Sequence, residues 1–397
     1  NASQTAIWTV EGVAIPYEAD VSANAVMHIL CSKVGATVGD ATTFTVTAFV
    51  QDVAALHDAD TDFGGTSSAI TGDATSKTVQ DSTLTLALAD LAAAAAPAAI
   101  SFSIKPTDGT LGTSGNLTAN ATQTITAQGQ NLSGGNQTLT AQAVDLSNSQ
   151  TSARNLSITA SSGDINQANA TVVASQTLTA NAHQTLRTDG AHVSANQINA
   201  TAHDLSNGQG QIVQIGNSDM VLNLPGNLDN TKGRIASNSV NVNISADALT
   251  NTDGTLEHAG TGSLSLNANT LNGTRGMIAS HGALNLTATN ATLGAATTTA
   301  QQLNVNSATF SHQGGTMTQT GDGAAILTAS HQLDNTGGTI TSHGALDLTV
   351  DTLKNQRGVL QATGSSASDL TLTARADIDN SHAGSTTAHG NTTGKGG

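Results

Sequence analysis

The sequence predicts an all-β protein: a parallel β-helix of about 21 residues per coil, preceded by a β-sandwich or jelly-roll-like domain. Three observations carry this. SHGALNLT at 280–287 returns as SHGALDLT at 342–349, 62 residues later. Aliphatic residues alternate with small polar ones at period two, with no helical period. Composition also shifts sharply near residue 112, which places a domain of residues 1–111 ahead of the repeats.

Residues 1–111 hold six of the seven aromatics: Trp8, Tyr17, Phe44, Phe49, Phe63 and Phe102. They also hold the lone cysteine, Cys31. TAIWTVEGVAI, NAVMHILCSKV, TTFTVTAFVQDV, STLTLALADL and AISFSIKP read as strands, being β-branched and alternating. Gly- and Asp-rich turns separate them. A chain with one cysteine forms no internal disulfide, and Cys31 in an apolar run reads as a buried structural thiol. Within HDADTDFGG, Asp58, Asp60 and Asp62 have the i, i+2, i+4 spacing of a Ca²⁺ loop. The loop pattern then fails, because Phe63 stands where a turn glycine belongs and Ile70 where a bidentate glutamate belongs. A solvated acidic turn is the plainer reading; these three aspartates are the candidate Ca²⁺ ligands, and no other cofactor is expected.

From 112 to 383 one unit recurs. A leading apolar residue precedes a polar turn containing glycine, then a short aliphatic strand, then a second alternating strand. The leaders are Leu228, Leu249, Leu271, Phe310, Leu333, Leu353 and Ile378, with Leu293 as a degenerate copy. Leu132, Leu146 and Leu205 start looser units. A fixed period near 20 residues marks a solenoid, and the unit is too short to include a helix. Leucine-rich repeats share the period but need a leucine spacing that is absent. Roughly 13 coils at about 4.8 Å per strand give a rod of about 60 Å. Glycine and asparagine supply the left-handed turn positions. Asparagines at equivalent turns can form hydrogen-bonded ladders. The first domain is expected to serve partly as a cap on the open end of the coil, because an uncovered edge invites pairing. Within SHAGSTTAHGNTTGKGG (381–397), residues 384–397 read as a flexible tail.

LDNTGGTITSHGALDLT (333–349) and LNGTRGMIASHGALNLT (271–287) resemble the haemagglutinin-type repeats of filamentous haemagglutinin and of contact-dependent growth-inhibition exoproteins. The resemblance covers 205–383 well and 112–204 loosely. It implies a right-handed β-helix and two-partner secretion through an outer-membrane transporter. It also implies display on the surface of a Gram-negative bacterium as an adhesive or tip-bearing fibre. The family's secretion domain has Asn-Pro motifs, and no Asn-Pro pair occurs here. The chain therefore reads as an interior piece of a longer exoprotein, or as a composite.

Charge and motifs exclude other classes. The formal net charge is −16 with 12 Lys and Arg in all, so nucleic acid is not an expected partner. No run of 18 apolar residues exists, so no membrane-spanning helix is expected. No hydrolase, zinc-protease or nucleotide-binding motif appears. Asp229, Asp253, Asp334 and Asp379 recur at turns, where aspartate caps backbone. The histidines read as turn and surface residues. The expectation is a non-enzymatic, secreted rod whose partner is a host or bacterial cell-surface receptor or glycan. The rival is a phage tailspike-like β-helix that binds or cleaves surface polysaccharide, which the near absence of aromatics after residue 103, where only Phe310 remains, disfavours.

Overall fold

The computed structural model describes residues 110–364, 368–390 and 392–395, and ahead of them the backbone of nine strands between Thr5 and Thr107. All regular structure among the described residues is β-strand. The chain forms two compact units, Asn1–Ser175 with Thr179–Gln184, and Gln176–Leu178 with Thr185–Gly397.

In the first unit, pairing changes character at Thr110, beside the boundary that composition marks. Before it, pairs are antiparallel: Thr5–Ala14 with Ala98–Thr107, Thr45–Asp52 with the same strand, and Ala25–Cys31 with Gln80–Leu86. From it onward they are parallel. Thr110–Thr113 lies on Gln130–Ser133, Leu117–Asn120 on Asn136–Ala141, and Thr124–Thr126 on Ala143–Asp145. Ile125, Val144 and Ile165 stack as the leading column of three turns. Thr5–Ala14 also pairs antiparallel with Thr124–Thr126, placing Thr9 opposite Thr126 and Val10 opposite Ile125. One strand of the first turn, Thr124–Thr126, thus has its open edge paired with a strand of the preceding domain.

In the second unit each complete turn has three strands. One turn comprises Asn227–Asp229, Arg234–Ser237 and the start of Val242–Thr250, whose end already pairs with Asn227–Asp229 as the next turn's first strand. The leading column is Leu186, Leu205, Leu228, Leu249, Leu271, Ala291, Phe310, Leu333, Leu353 and Ile378. With the three of the first unit, this gives the 13 turns of about 21 residues that the period predicts. Ser280 stacks through Ala300 and Gln319 to Ser342, so the two SHGAL copies are three turns apart.

Other columns fill the interior. Ile212, Ile235, Leu256 and Ile278 stack on the second strands, and Leu222, Ile244, Leu266, Leu286, Val305 and Leu327 on the third. Full burial of one such side chain contributes about 1.5–3 kcal/mol. Phe310, 1% exposed, is the one aromatic among them.

The register corrects three leaders. Ala291, not Leu293, stands between Leu271 and Phe310. Alanine carries little hydropathy signal, and the louder leucine lies one corner further on. In the first unit Val144 leads, and Leu146 occupies that same corner. Leu132 belongs to a second strand, opposite Gly112 and Ser152. The tail is also corrected. Ser385–Ala388 pairs with Val359–Ala362, and Thr392–Lys395 pairs with Leu370–Thr373. Thr386 lies opposite Leu360 and Thr392 opposite Leu370. Threonine and serine replace the aliphatics there, so the pattern goes silent while the backbone ladder continues.

Candidate functional site

The first corner of each turn is a four-residue turn. In Asn230–Gly233 the Gly233 N–H donates to the Asn230 carbonyl at 3.0 Å. The third residue has positive φ, as in a type II turn. That position is held by Gln209, Lys232, Asp253, Arg275 and Arg357 as well as by Gly190, Gly314 and Gly337. The glycines expected to supply positive φ therefore serve mostly elsewhere, at the fourth position. A Cβ on Gly233 would collide with the Asn207 carbonyl of the preceding turn and with the Asn230 side chain. Gly254 and Gly358 meet the same obstruction. Where the first position is Leu146, Gln167, Thr188 or Leu293, the fourth is Ser149, Ala170, Ala191 or Ala296. Asn207, Asn230, Asn251, Asn335 and Asn355 each have glycine at the fourth position, where the preceding turn's carbonyl and the asparagine side chain together leave no room for a Cβ.

These asparagines are fully buried and form the expected ladder. Thr188 Oγ1 donates to Asn207 Oδ1 at 2.8 Å, Asn207 Nδ2 to Asn230 Oδ1 at 2.7 Å, and Asn230 Nδ2 to Asn251 Oδ1 at 2.7 Å. Gly273 and Leu293 interrupt it. It resumes from His312 through Asn335 and Asn355 to Asn380, with contacts of 2.8, 2.7 and 2.7 Å.

The aspartates cap this corner. Oδ1 of Asp229, Asp334 and Asp379 accepts the N–H of Thr231, Thr336 and Ser381 at 2.9, 3.0 and 3.0 Å. The Ser381 hydroxyl, then Gln356 and the Ser381 N–H, pull the Asp379 carboxyl down to about 2. Burial pushes Asp334 up, but Thr336, Gln313 and the Lys354 charge together outweigh it and hold the group low. Asp253 is the positive-φ residue of its turn. Its bidentate pairing with Arg275, at 2.8 Å to each oxygen, holds its carboxyl low. Lys354 stacks between Asp334 and Asp379. Asp253, Asp334 and Asp379 are thus all held low, the opposite of the raised carboxyl a general acid needs.

Two histidines are buried, against the surface reading. His258, 2% exposed, places Nε2 at 3.0 Å from the carbonyls of Ser239 and Val240, and Nδ1 at 2.9 Å from Ser280 Oγ. His312 is fully buried. Alignment of FSHQGG with LDNTGG would have found it, since His312 takes the place of the ladder asparagine. His281 and His343 are exposed and three turns apart, too far to share a metal. Of the candidate Ca²⁺ ligands, Asp58 and Asp60 lie outside the described residues. Asp62 is described by its backbone, opposite Phe49. Among the described residues no cluster of three or more His, Cys, Asp or Glu is placed to hold a metal ion.

The outward columns carry Arg234, Glu257 and Asp347, but between these they run uncharged over several turns. On the second strands, Thr297, Thr316 and Thr339 stack beside Thr299, Thr318 and Thr341. On the third strands, Asn243, Ser265, Asn285 and Asn304 stack beside Ser245, Asn267, Thr287 and Asn306. Asn304 Nδ2 donates to Asn285 Oδ1 at 2.9 Å. A shallow groove of about 270 Å³ follows the next corner, past Thr287, Thr289, Asn306, Ser307 and Ser330. Amides and hydroxyls repeating at about 4.8 Å can exchange hydrogen bonds with a polyhydroxylated ligand. No helix among the described residues is long and apolar enough to cross a membrane.

Comparison with known proteins places this architecture. The family described as "Haemagglutinin repeat" matches residues 106–150, 151–218, 213–288 and 366–397, together more than half of the chain. Residues 289–364 lie outside those segments yet continue the same register. The "Toxin CdiA" of Yersinia pestis is 44% identical over 87 residues, which are 22% of this chain. The chain spans only 3% of that protein's length. No solved structure matches. Repeat period, stacked register and sequence match agree, and the chain belongs to the haemagglutinin-repeat family.

Proposed function

We propose that this chain is an adhesive, non-catalytic segment of a filamentous surface exoprotein. Exported through an outer-membrane transporter, it would be displayed outside a Gram-negative cell and meet a cell-surface receptor or glycan. The observation that carries the reading is the pair of neutral columns from Asn243 to Asn306. They repeat one set of donors and acceptors over four turns, which suits a repeating polymer better than a compact substrate. The net charge of −16 favours neutral over anionic glycans, because like charges repel. The lowered carboxyls of Asp253, Asp334 and Asp379 support binding without cleavage.

The test is to pass the purified chain over a panel of neutral and acidic surface glycans, scoring retention and released oligosaccharide together. Retention on neutral glycans without release is expected, and loss of retention in Asn285→Ala/Asn304→Ala would place it on these columns. Released oligosaccharide would overturn the reading in favour of a depolymerase. Neither signal would leave a spacer whose function lies in other parts of its parent protein.

A further inference from the structure

The buried ladder of the second unit has one titratable member. His312 occupies the position that asparagine holds at 207, 230, 251, 335 and 355. Its tautomer is fixed by its neighbour. Asn335 Nδ2 donates to Asn355 Oδ1 and to the Gly338 carbonyl, so Asn335 Oδ1 is the acceptor and His312 Nδ1 carries the proton. His312 Nε2 is then a bare acceptor, buried and without a hydrogen-bond partner. On the preceding turn the ladder position is Leu293, and before that Gly273, so no amide continues the ladder on that side. Phe310 packs beside the ring, with centroids 5.9 Å apart.

We infer that the corner formed by residues 293–296 and 312–315 is an acid-sensitive joint, at which the stacked turns loosen when His312 takes a proton. A second proton must go to Nε2. There it makes a buried N–H with nothing to accept it, beside a leucine and a phenylalanine. The surroundings supply no counter-charge. His312 faces its own corner (Ser311, Gln313, Gly314, Gly315), the corner before it (Leu293 to Ala296) and the one after it (Asn335 to Gly338), none of which is ionisable. The nearest charged groups are Asp334, whose Oδ2 is held by Gln313 Nε2 at 2.8 Å, and Lys354 on the turn beyond. Burial already pushes the imidazole below the ordinary 6.5, and the bond to Asn335 only partly offsets this. The sign follows. The unfolded chain takes the proton more readily, so the stability is present above 6.5 and is lost as pH falls below it. On either side the uninterrupted ladders, Thr188 to Asn251 and Asn335 to Asn380, carry no such group and hold their turns.

Hydrogen exchange of the intact chain, corrected for intrinsic rates, tests this between about pH 8 and about pH 5. Amides at residues 293–315 should exchange about tenfold faster at the acid end, while those of the corners at 228–233 and 249–254, away from the buried His258, stay unchanged. His312→Asn, which extends the ladder by one amide, should abolish the difference. His312→Leu, which repeats the side chain above it, should abolish it as well. An equal acid response at all of these corners, or a response that survives in both variants, would overturn the inference.

Discussion

At the residue scale, the Asn–x–x–Gly corner couples two positions that are usually discussed apart. Asn230 gives Nδ2 to Asn251 Oδ1 and to its own turn's Gly233 carbonyl, while its Oδ1 accepts from Asn207. Asn230→Ala leaves the Asn251 acceptor and one Asn207 proton unpaired in the core. The expected cost is about 2 kcal/mol, read from the urea midpoint at constant slope. Gly233→Ala forces a Cβ against the Asn207 carbonyl and should cost about 1–3 kcal/mol, as overpacking does. Removing Asn230 relieves part of that collision, so the double variant should lose less than the sum of the singles; strict additivity would refute the coupling. Asp379 makes a separate prediction. Its carboxyl is held at about 2 against an ordinary 3.8, so its contribution is present above 3.8 and fades as pH falls toward 2. Asp379→Ala should destabilise at neutral pH and match the parent chain near the acid end of that window.

At the element scale, what stacks well is not always what the sequence makes conspicuous. The leucine-led period was legible because leucine and glycine recur together, as in LDNTKGRI and LDNTGGTI. The asparagine ladder was legible as a principle, since equivalent turns on parallel coils must meet. Ala291 was not legible, because one methyl gives no contrast against a threonine-rich background. The polar column at the second corner was also hidden. Gln214, His258 and Gln319 are buried there to satisfy loop backbone, as when Gln319 Oε1 accepts the Leu303 N–H at 2.8 Å. A polar residue in an alternating sequence is taken for an outward one unless the register is known. The strands after residue 384 were missed for the same reason. They provide a direct check: amides of Ser385–Ala388 should show exchange protection, because this strand pairs along Val359–Ala362. Exchange at the rate of a free peptide would remove that strand from the stack.

At the scale of the whole molecule, a solenoid is held mainly by contacts between adjacent turns, so its stability is close to a sum over neighbours. Length is then adjustable in whole turns and in no other increment. Deleting residues 228–248, which are 21 residues, joins Asn227 to Leu249. Leu249 then falls on Leu205, and Asn251 falls on Asn207 as the ladder requires. Every inward residue keeps its direction, because the deleted segment is one full pass around the coil. Deleting 228–238 removes about half a pass and brings corner residues onto strand positions, turning apolar side chains outward. The whole-turn deletion should retain β-sheet circular dichroism and a cooperative melt, with a modest loss of stability. The half-turn deletion should lose cooperativity and aggregate through unpaired edges. If both deletions behaved alike, register between turns would not be what holds this chain together, and the repeat would have no structural meaning beyond its composition. If only the whole-turn deletion folds, the neutral columns from Asn243 onward can be shortened or lengthened turn by turn. The strength of glycan retention should then follow the number of turns, as expected of a surface that binds by repetition.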